Sequence, residues 1–101
     1  DLFPTLIDMT GAQLEPADAD LPGVSLWPAA LGHDDLDRPV FAEYHAQGSR
    51  SAAYLVRQND DKMIVHVGMP TQTFDLQADP DELNDLRGTA QGDAIERRLM
   101  P

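Results

Sequence analysis

Glu43 and His45 are the pair in this sequence best placed to do chemistry. They stand two apart in "RPVFAEYHA", residues 38–46. On an extended strand, positions i and i+2 project from the same face, so both side chains can enter one cleft. A carboxylate beside an imidazole can hold its tautomer or raise its pKa. The same spacing also describes an ordinary half-exposed strand with polar residues outward. A second candidate is the acid-rich run "FDLQADPDELNDL", residues 74–86. A calcium loop of the EF-hand type needs carboxylates at alternate positions, then a glycine, then a distant Glu. Asp75, Asp79, Asp81 and Asp85 do not keep that spacing, and no glycine falls among them. Chain geometry accounts for the acids better. Asp79, Pro80 and Glu82 form a capping box with proline at the first helical position. Asp81 and Glu82 would sit at the positive end of that turn, and Leu83 and Leu86 would face inward.

The remaining polar residues offer less. His66 is a single polar residue in an apolar strand and reads as a hydrogen-bonded sheet histidine. His33 falls in a turn, and a zinc site would need a third ligand that the sequence does not nominate. Ser25, Ser49 and Ser51 lie outside any GxSxG elbow, and no GxxxxGK[ST] phosphate loop is present. Trp27 and Tyr44 read as core anchors, because no basic residues interleave with them. Glu43 and His45 thus remain the most chemical pair of the chain, with no catalytic residue and no metal ligand nominated.

The elements that would position this pair follow from periodicity and punctuation. Asp1 can cap a short helix with Leu2, Phe3, Leu6, Ile7 and Met9 on its apolar face and Gly11 as its stop. That face needs a partner surface. Residues 12–23 carry two prolines and no periodicity, as a loop does. "SLWPAALG" suggests a second short helix, with Ser25 as N-cap and Gly32 as its end, and "HDDLDRP" is a polar turn. Four strands follow at 38–46, 51–58, 62–69 and 71–76, the second and third joined by a turn at "NDD". On the first, Val40, Ala42 and Tyr44 share one face and Phe41, Glu43 and His45 the other. Residues 91–100 form a closing helix with Ala94, Ile95, Leu99 and Met100 apolar. The sum is an α+β chain: a small four-stranded antiparallel sheet with flanking helices.

Composition narrows the partners. The chain has 101 residues, of which 42% are hydrophobic, enough for one small core. Its net charge of −11, with Lys62 as its one lysine, repels phosphate backbones and anionic lipid. We therefore expect no nucleic acid and no membrane partner; no apolar run approaches the ~20 residues that a spanning helix needs. With no cysteine, disulfides, thiolate metal sites and a Cys nucleophile are excluded within the chain. The first residue is Asp1 rather than Met, and an apolar helix opens the chain. Both suggest a piece of something longer, marginally stable or self-associating by itself, which leaves room for a homo-oligomer.

Four blocks, in order, resemble the C-terminal portion of a sulfatase of the alkaline-phosphatase-like superfamily, in its choline-sulfatase and arylsulfatase-like branch. "DLFPTLIDMTGA" resembles the family's DLxPTLLxLAG helix, and "LPGVSLWPAALG" its GxSLxPLLxG segment. "RPVFAEYHAQGS" is similar to the strand with a Ser/Ala-Glu-Tyr-His core, and "KMIVHVGMPTQTFDLQADPDELNDL" to K(Y/F)I…LYDLxxDPxExxNL. The resemblance covers nearly the whole chain. It implies that residues 1–11 are the last helix of a missing large α/β domain. Residues 12–37 would be a linker with a short helix, and 38–101 the C-terminal antiparallel-sheet subdomain. It also implies an N-terminal catalytic domain of the same enzyme as partner and a small sulfate ester as substrate. Family members carry a Cys/Ser-x-Pro-x-Arg motif whose Cys or Ser becomes formylglycine, and Asp/Asn ligands for a divalent cation, usually calcium. Neither occurs here, so the chain is expected to hold no cofactor and to be inactive alone. In the intact parent, calcium or another divalent cation would stabilise charge on the sulfate while the hydrated aldehyde attacks sulfur. Glu43 and His45 would then stand in one wall of the substrate cleft. A phosphonate monoester or phosphodiester hydrolase of the same superfamily, or a non-enzymatic binding or scaffolding domain, remain as alternatives.

Overall fold

The computed structural model describes residues 1–33 and 37–100. Asp34, Asp35 and Leu36, in the expected polar turn, and Pro101, at the end of the expected sheet subdomain, lie outside the described residues. Residues 1–35 and 36–101 form two compact units.

In the first unit, α1 spans Leu2–Thr10 and stops at Gly11, whose φ of 67° puts it in the left-handed region that glycine adopts without penalty. The expected cap at its other end is replaced. The Asp1 side chain makes no capping bond to α1; its Oδ1 accepts from the Val24 N–H at 2.9 Å. Thr5 Oγ1 accepts from the Leu26 N–H at 2.8 Å. The Asp1 carboxylate and the Thr5 hydroxyl thus tie Val24 and Leu26 to α1, long-range partners that local spacing does not reveal. The second helix, α2, is short, Trp27–Ala30. Ser25 Oγ accepts from its first N–H at 3.1 Å, although Leu26 is the residue at the cap position. No residue of α1 is buried, and Leu2 is 72% exposed.

The second unit is a four-stranded antiparallel meander closed by a helix. Its strands are β1 (Val40–Tyr44), β2 (Ala53–Gln58), β3 (Asp61–His66) and β4 (Gln72–Asp75), in spatial order β1-β2-β3-β4. The β2–β3 turn places Asn59 at φ 54°, a conformation that asparagine tolerates better than most residues. The closing helix α3 spans Ala90–Leu99, and Thr89 Oγ1 caps it by accepting from the Gly92 N–H at 3.0 Å. It lies against β2, β3 and β4. There Val56, Met63, Ile95 and Leu99 form the core, with Val65 and Leu86 packed against it. The helical spacing of Ile95 and Leu99 turns both onto the sheet, whereas Ala94 and Met100 stay exposed. Phe74 is also buried. It neighbours Thr73 on β4 and so points to the opposite sheet face.

No helix forms over residues 79–86, contrary to the capping box expected there. Glu82 adopts φ 56°, outside the helical region, and its carboxylate receives both oxygens' bonds from Lys62 Nζ at 2.6 and 2.7 Å. A partner on β3 thus outcompetes the local cap. Leu83, expected to face inward, is 79% exposed, while Leu86 packs on the core. The acids still serve the chain's geometry. Asp75 Oδ1 accepts from the N–H groups of Gln77 and Ala78. Asp85 Oδ1 accepts from those of Thr73 and Arg87. Asp79 Oδ2 accepts from the Asn84 N–H at 2.7 Å.

That last bond has a pH signature. The Asn84 backbone N–H, helped by that of Leu83 and by the Asn84 side chain, holds the Asp79 carboxyl below its ordinary value of 3.8. A depressed folded-state pKa means that the stabilising contact is complete above 3.8 and is lost as pH falls through the lower folded value. The Asn84 amide proton should therefore keep its bonded chemical shift down to acidic pH and move only below about 3.8. In Asp79→Asn that acid step should disappear; a step that persists in the variant would show another carboxylate to be responsible.

Candidate functional site

The candidate pair sits at the open side of the sheet. Glu43 lies in β1, and His45 is the first residue after Tyr44 ends the strand. As an edge strand paired only with β2, β1 has every residue exposed. In the β1–β2 register Phe41 faces Val56 and Glu43 faces Tyr54. Phe41, Glu43 and Tyr54 therefore rise on the face that carries Val56 and α3. The helix packs on the other three strands and stops short of β1, so this part of the face stays open.

The structure brings Glu43 and His45 together. Glu43 Oε2 lies 3.3 Å from His45 Nε2, and the side chains are 68% and 49% exposed. A third residue, to which the sequence reading gave no role, joins them. The Tyr54 ring stands 5.2 Å from the His45 ring at an interplanar angle of 76°, an edge-to-face contact. Its signal was the strand register, which pairs Tyr54 with Glu43 and which residue spacing alone leaves open. Two shallow cavities border the group. One, of about 330 Å³, is lined by Phe41, Glu43, Tyr54 and Leu55 among others. The other, of about 170 Å³, lies between His45, Ser49 and Ser51. The arrangement offers a carboxylate and aromatic surface in one open hollow, with an imidazole at the edge of the next. That set can bind and orient a small molecule by charge, hydrogen bonds and ring contact.

The other candidates fall elsewhere. His66 Nε2 lies 3.1 Å from Gln72 Oε1, the hydrogen-bonded sheet histidine its place in the strand suggested. His33 is exposed in the other unit. Tyr44, read as a core anchor, is 57% exposed, because an edge strand beyond the reach of α3 has no core to anchor. Trp27 is half-buried. A polar hollow of about 320 Å³ gathers Asp37, Asp60, Asp61 and Asp75, but Asp61 is ion-paired with Arg98 and Asp75 accepts from Gln77, Ala78 and Gln91. Among the described residues no three His, Asp or Glu side chains are grouped to share a metal ion. No helix among them is long and apolar enough to cross a membrane.

No protein-family model matches the chain. Among curated proteins it is 37% identical over 99 residues to a choline-sulfatase of Rhizobium meliloti (strain 1021), covering 98% of this chain and 19% of that protein. It is 33% identical over 97 residues to arylsulfatase K of Gallus gallus, covering 85% of this chain and 18% of the relative. The chain thus spans about a fifth of the length of the curated relatives it matches. Among solved structures it superposes with a TM-score of 0.76 on a protein in complex with its substrate D-glucosamine-2-N,6-O-disulfate. That match is 27% identical and covers 99% of this chain and 22% of the other. A 2-O GAG sulfatase superposes with a TM-score of 0.75 at 25% identity, over 97% of this chain and 22% of its own. The four-stranded antiparallel sheet and its helices belong to that likeness. By sequence and by fold alike, this chain corresponds to the C-terminal portion of the sulfatases.

Proposed function

We propose that this chain forms one wall of the substrate cleft in a sulfatase that hydrolyses sulfate monoesters, with Glu43 and His45 in that wall. The observation that carries the reading is the match to a choline-sulfatase over 98% of the chain at 37% identity. The likeness to sulfatase structures favours it over a phosphonate or phosphodiester hydrolase and over a free-standing binding domain. The nucleophile belongs to the remainder of the parent, as does the divalent cation, calcium or another, that polarises the sulfate when bound. Among the described residues no three His, Asp or Glu side chains group to hold a metal ion. The task of Glu43 and His45 is to bind and orient. The exposed Glu43 carboxylate attracts a cationic substrate end, and the His45 imidazole beside it supplies a hydrogen-bonding edge. Residues 1–11 complete the large α/β domain, residues 12–37 link it onward, and the sheet subdomain closes the cleft.

Glu43→Gln and His45→Ala test this in a full-length sulfatase carrying this sequence. Each should raise KM for a sulfate ester by roughly tenfold with kcat little changed, as expected when a charged hydrogen bond shared by ground and transition states is removed. Unchanged KM in both variants would remove the pair from the wall. Phosphoesters turned over far better than sulfate esters would refute the sulfatase reading itself.

A further inference from the structure

Tyr54 stands directly across the ladder from Glu43, so its side chain rises beside the carboxylate. His45 lies just beyond the paired residues of β1, where the ladder no longer fixes the chain. Contacts of the imidazole itself therefore decide where it sits. Among the described residues the ring meets Glu43 Oε2 at 3.3 Å from Nε2 and the Tyr54 ring at 5.2 Å. A carboxylate offers only acceptors, so the nitrogen facing it carries the proton. In the neutral ring Nδ1 is then left as an acceptor. A half-exposed side chain free to rotate must be ordered when it binds a ligand, which weakens affinity; a ring already held between two neighbours avoids that loss.

We propose that Tyr54 is a positioning residue for the cleft wall: its ring holds the His45 imidazole against Glu43, so that Nδ1 is presented as a fixed acceptor to a hydroxyl or amino group on the alcohol portion of the substrate. The proposal rests on the placing of Glu43 and His45 in that wall. It adds a specificity element, because a substrate without a donor there leaves Nδ1 unmatched.

Two measurements test it. Three-bond couplings of selectively labelled His45 in a full-length sulfatase carrying this sequence should report a single χ1 rotamer in the wild type and in Tyr54→Phe, which keeps the ring, and averaging in Tyr54→Leu. In a full-length sulfatase carrying this sequence, Tyr54→Leu should raise KM roughly two- to tenfold, the range an aromatic pair contributes, with kcat held. It should add nothing in a His45→Ala background, because a residue acting through another has no effect once that other is gone. Tyr54→Phe should restore the wild-type KM. Averaged couplings in the wild type, or a Tyr54→Leu effect undiminished without His45, overturns the positioning role alone. An unchanged KM in His45→Ala removes His45 from the wall, and the role of Tyr54 in binding with it, even where the couplings behave as expected.

Discussion

Gly92→Ala should destabilise the sheet unit by roughly 2–3 kcal/mol, the cost of forcing atoms into a packed interior, and lower the thermal midpoint by roughly 10–20 °C. The sign is opposite to helix propensity, which favours Ala over Gly by about 1 kcal/mol in a helix interior. Gly92 lies in the first turn of α3 and is buried. A methyl group there would run into the carbonyl of Leu86, lying 2.7 Å from its carbon and overlapping its oxygen, and would stand 2.8 Å from Thr73 Oγ1. Neither neighbour can withdraw cheaply. Leu86 donates its N–H to the Thr73 carbonyl at 2.9 Å, and its own carbonyl accepts from Thr89 N–H at 3.0 Å. The missing side chain is what lets the helix approach β4. Thermal unfolding followed by circular dichroism measures the effect; a variant melting at or above the wild-type temperature would show that α3 does not dock this closely.

Met63→Ala should cost about 3 kcal/mol, within the 2–5 kcal/mol seen when a large buried side chain is cut to Ala. Met63 is 1% exposed at the centre of β3, opposite Val56 and Thr73 on the neighbouring strands and under Ile95 and Leu99. The core has few members, so one cavity removes a large share of a stability that is of order 5–15 kcal/mol for a typical domain. Met63→Leu, close in volume, should lose less than about 1.5 kcal/mol. Urea unfolding separates the two. Leu83→Ala provides the reference, since that side chain is 79% exposed and should change stability by less than about 0.5 kcal/mol. Equal midpoints for Met63→Ala and Met63→Leu would place the core elsewhere.

The elements were legible in the sequence wherever a local rule decides them. Alternation and β-branched content locate β2 and β3 within two or three residues, Gly11 ends α1 through its φ of 67°, and the spacing of Ile95 and Leu99 marks the inner face of α3. The candidate pair was legible for the same reason, because a two-residue spacing on a strand carries both side chains to one face. What failed were assignments that a distant partner could overrule. Asp1 binds Val24 instead of capping its helix, and Glu82 meets Lys62 instead of closing a capping box. Tyr44 lies exposed on an edge strand.

The sequence by itself determined the four strands and the helices at either end, and placed Glu43 and His45 near one another, because those follow from covalent geometry and near-neighbour sterics. Only the tertiary structure decided that α3 covers three strands and leaves β1 open, that Tyr54 joins Glu43 and His45, and that Gly92 must be bare. Those depend on strand register and on the approach of segments far apart in the chain, where the energy lies in contacts that no local pattern encodes.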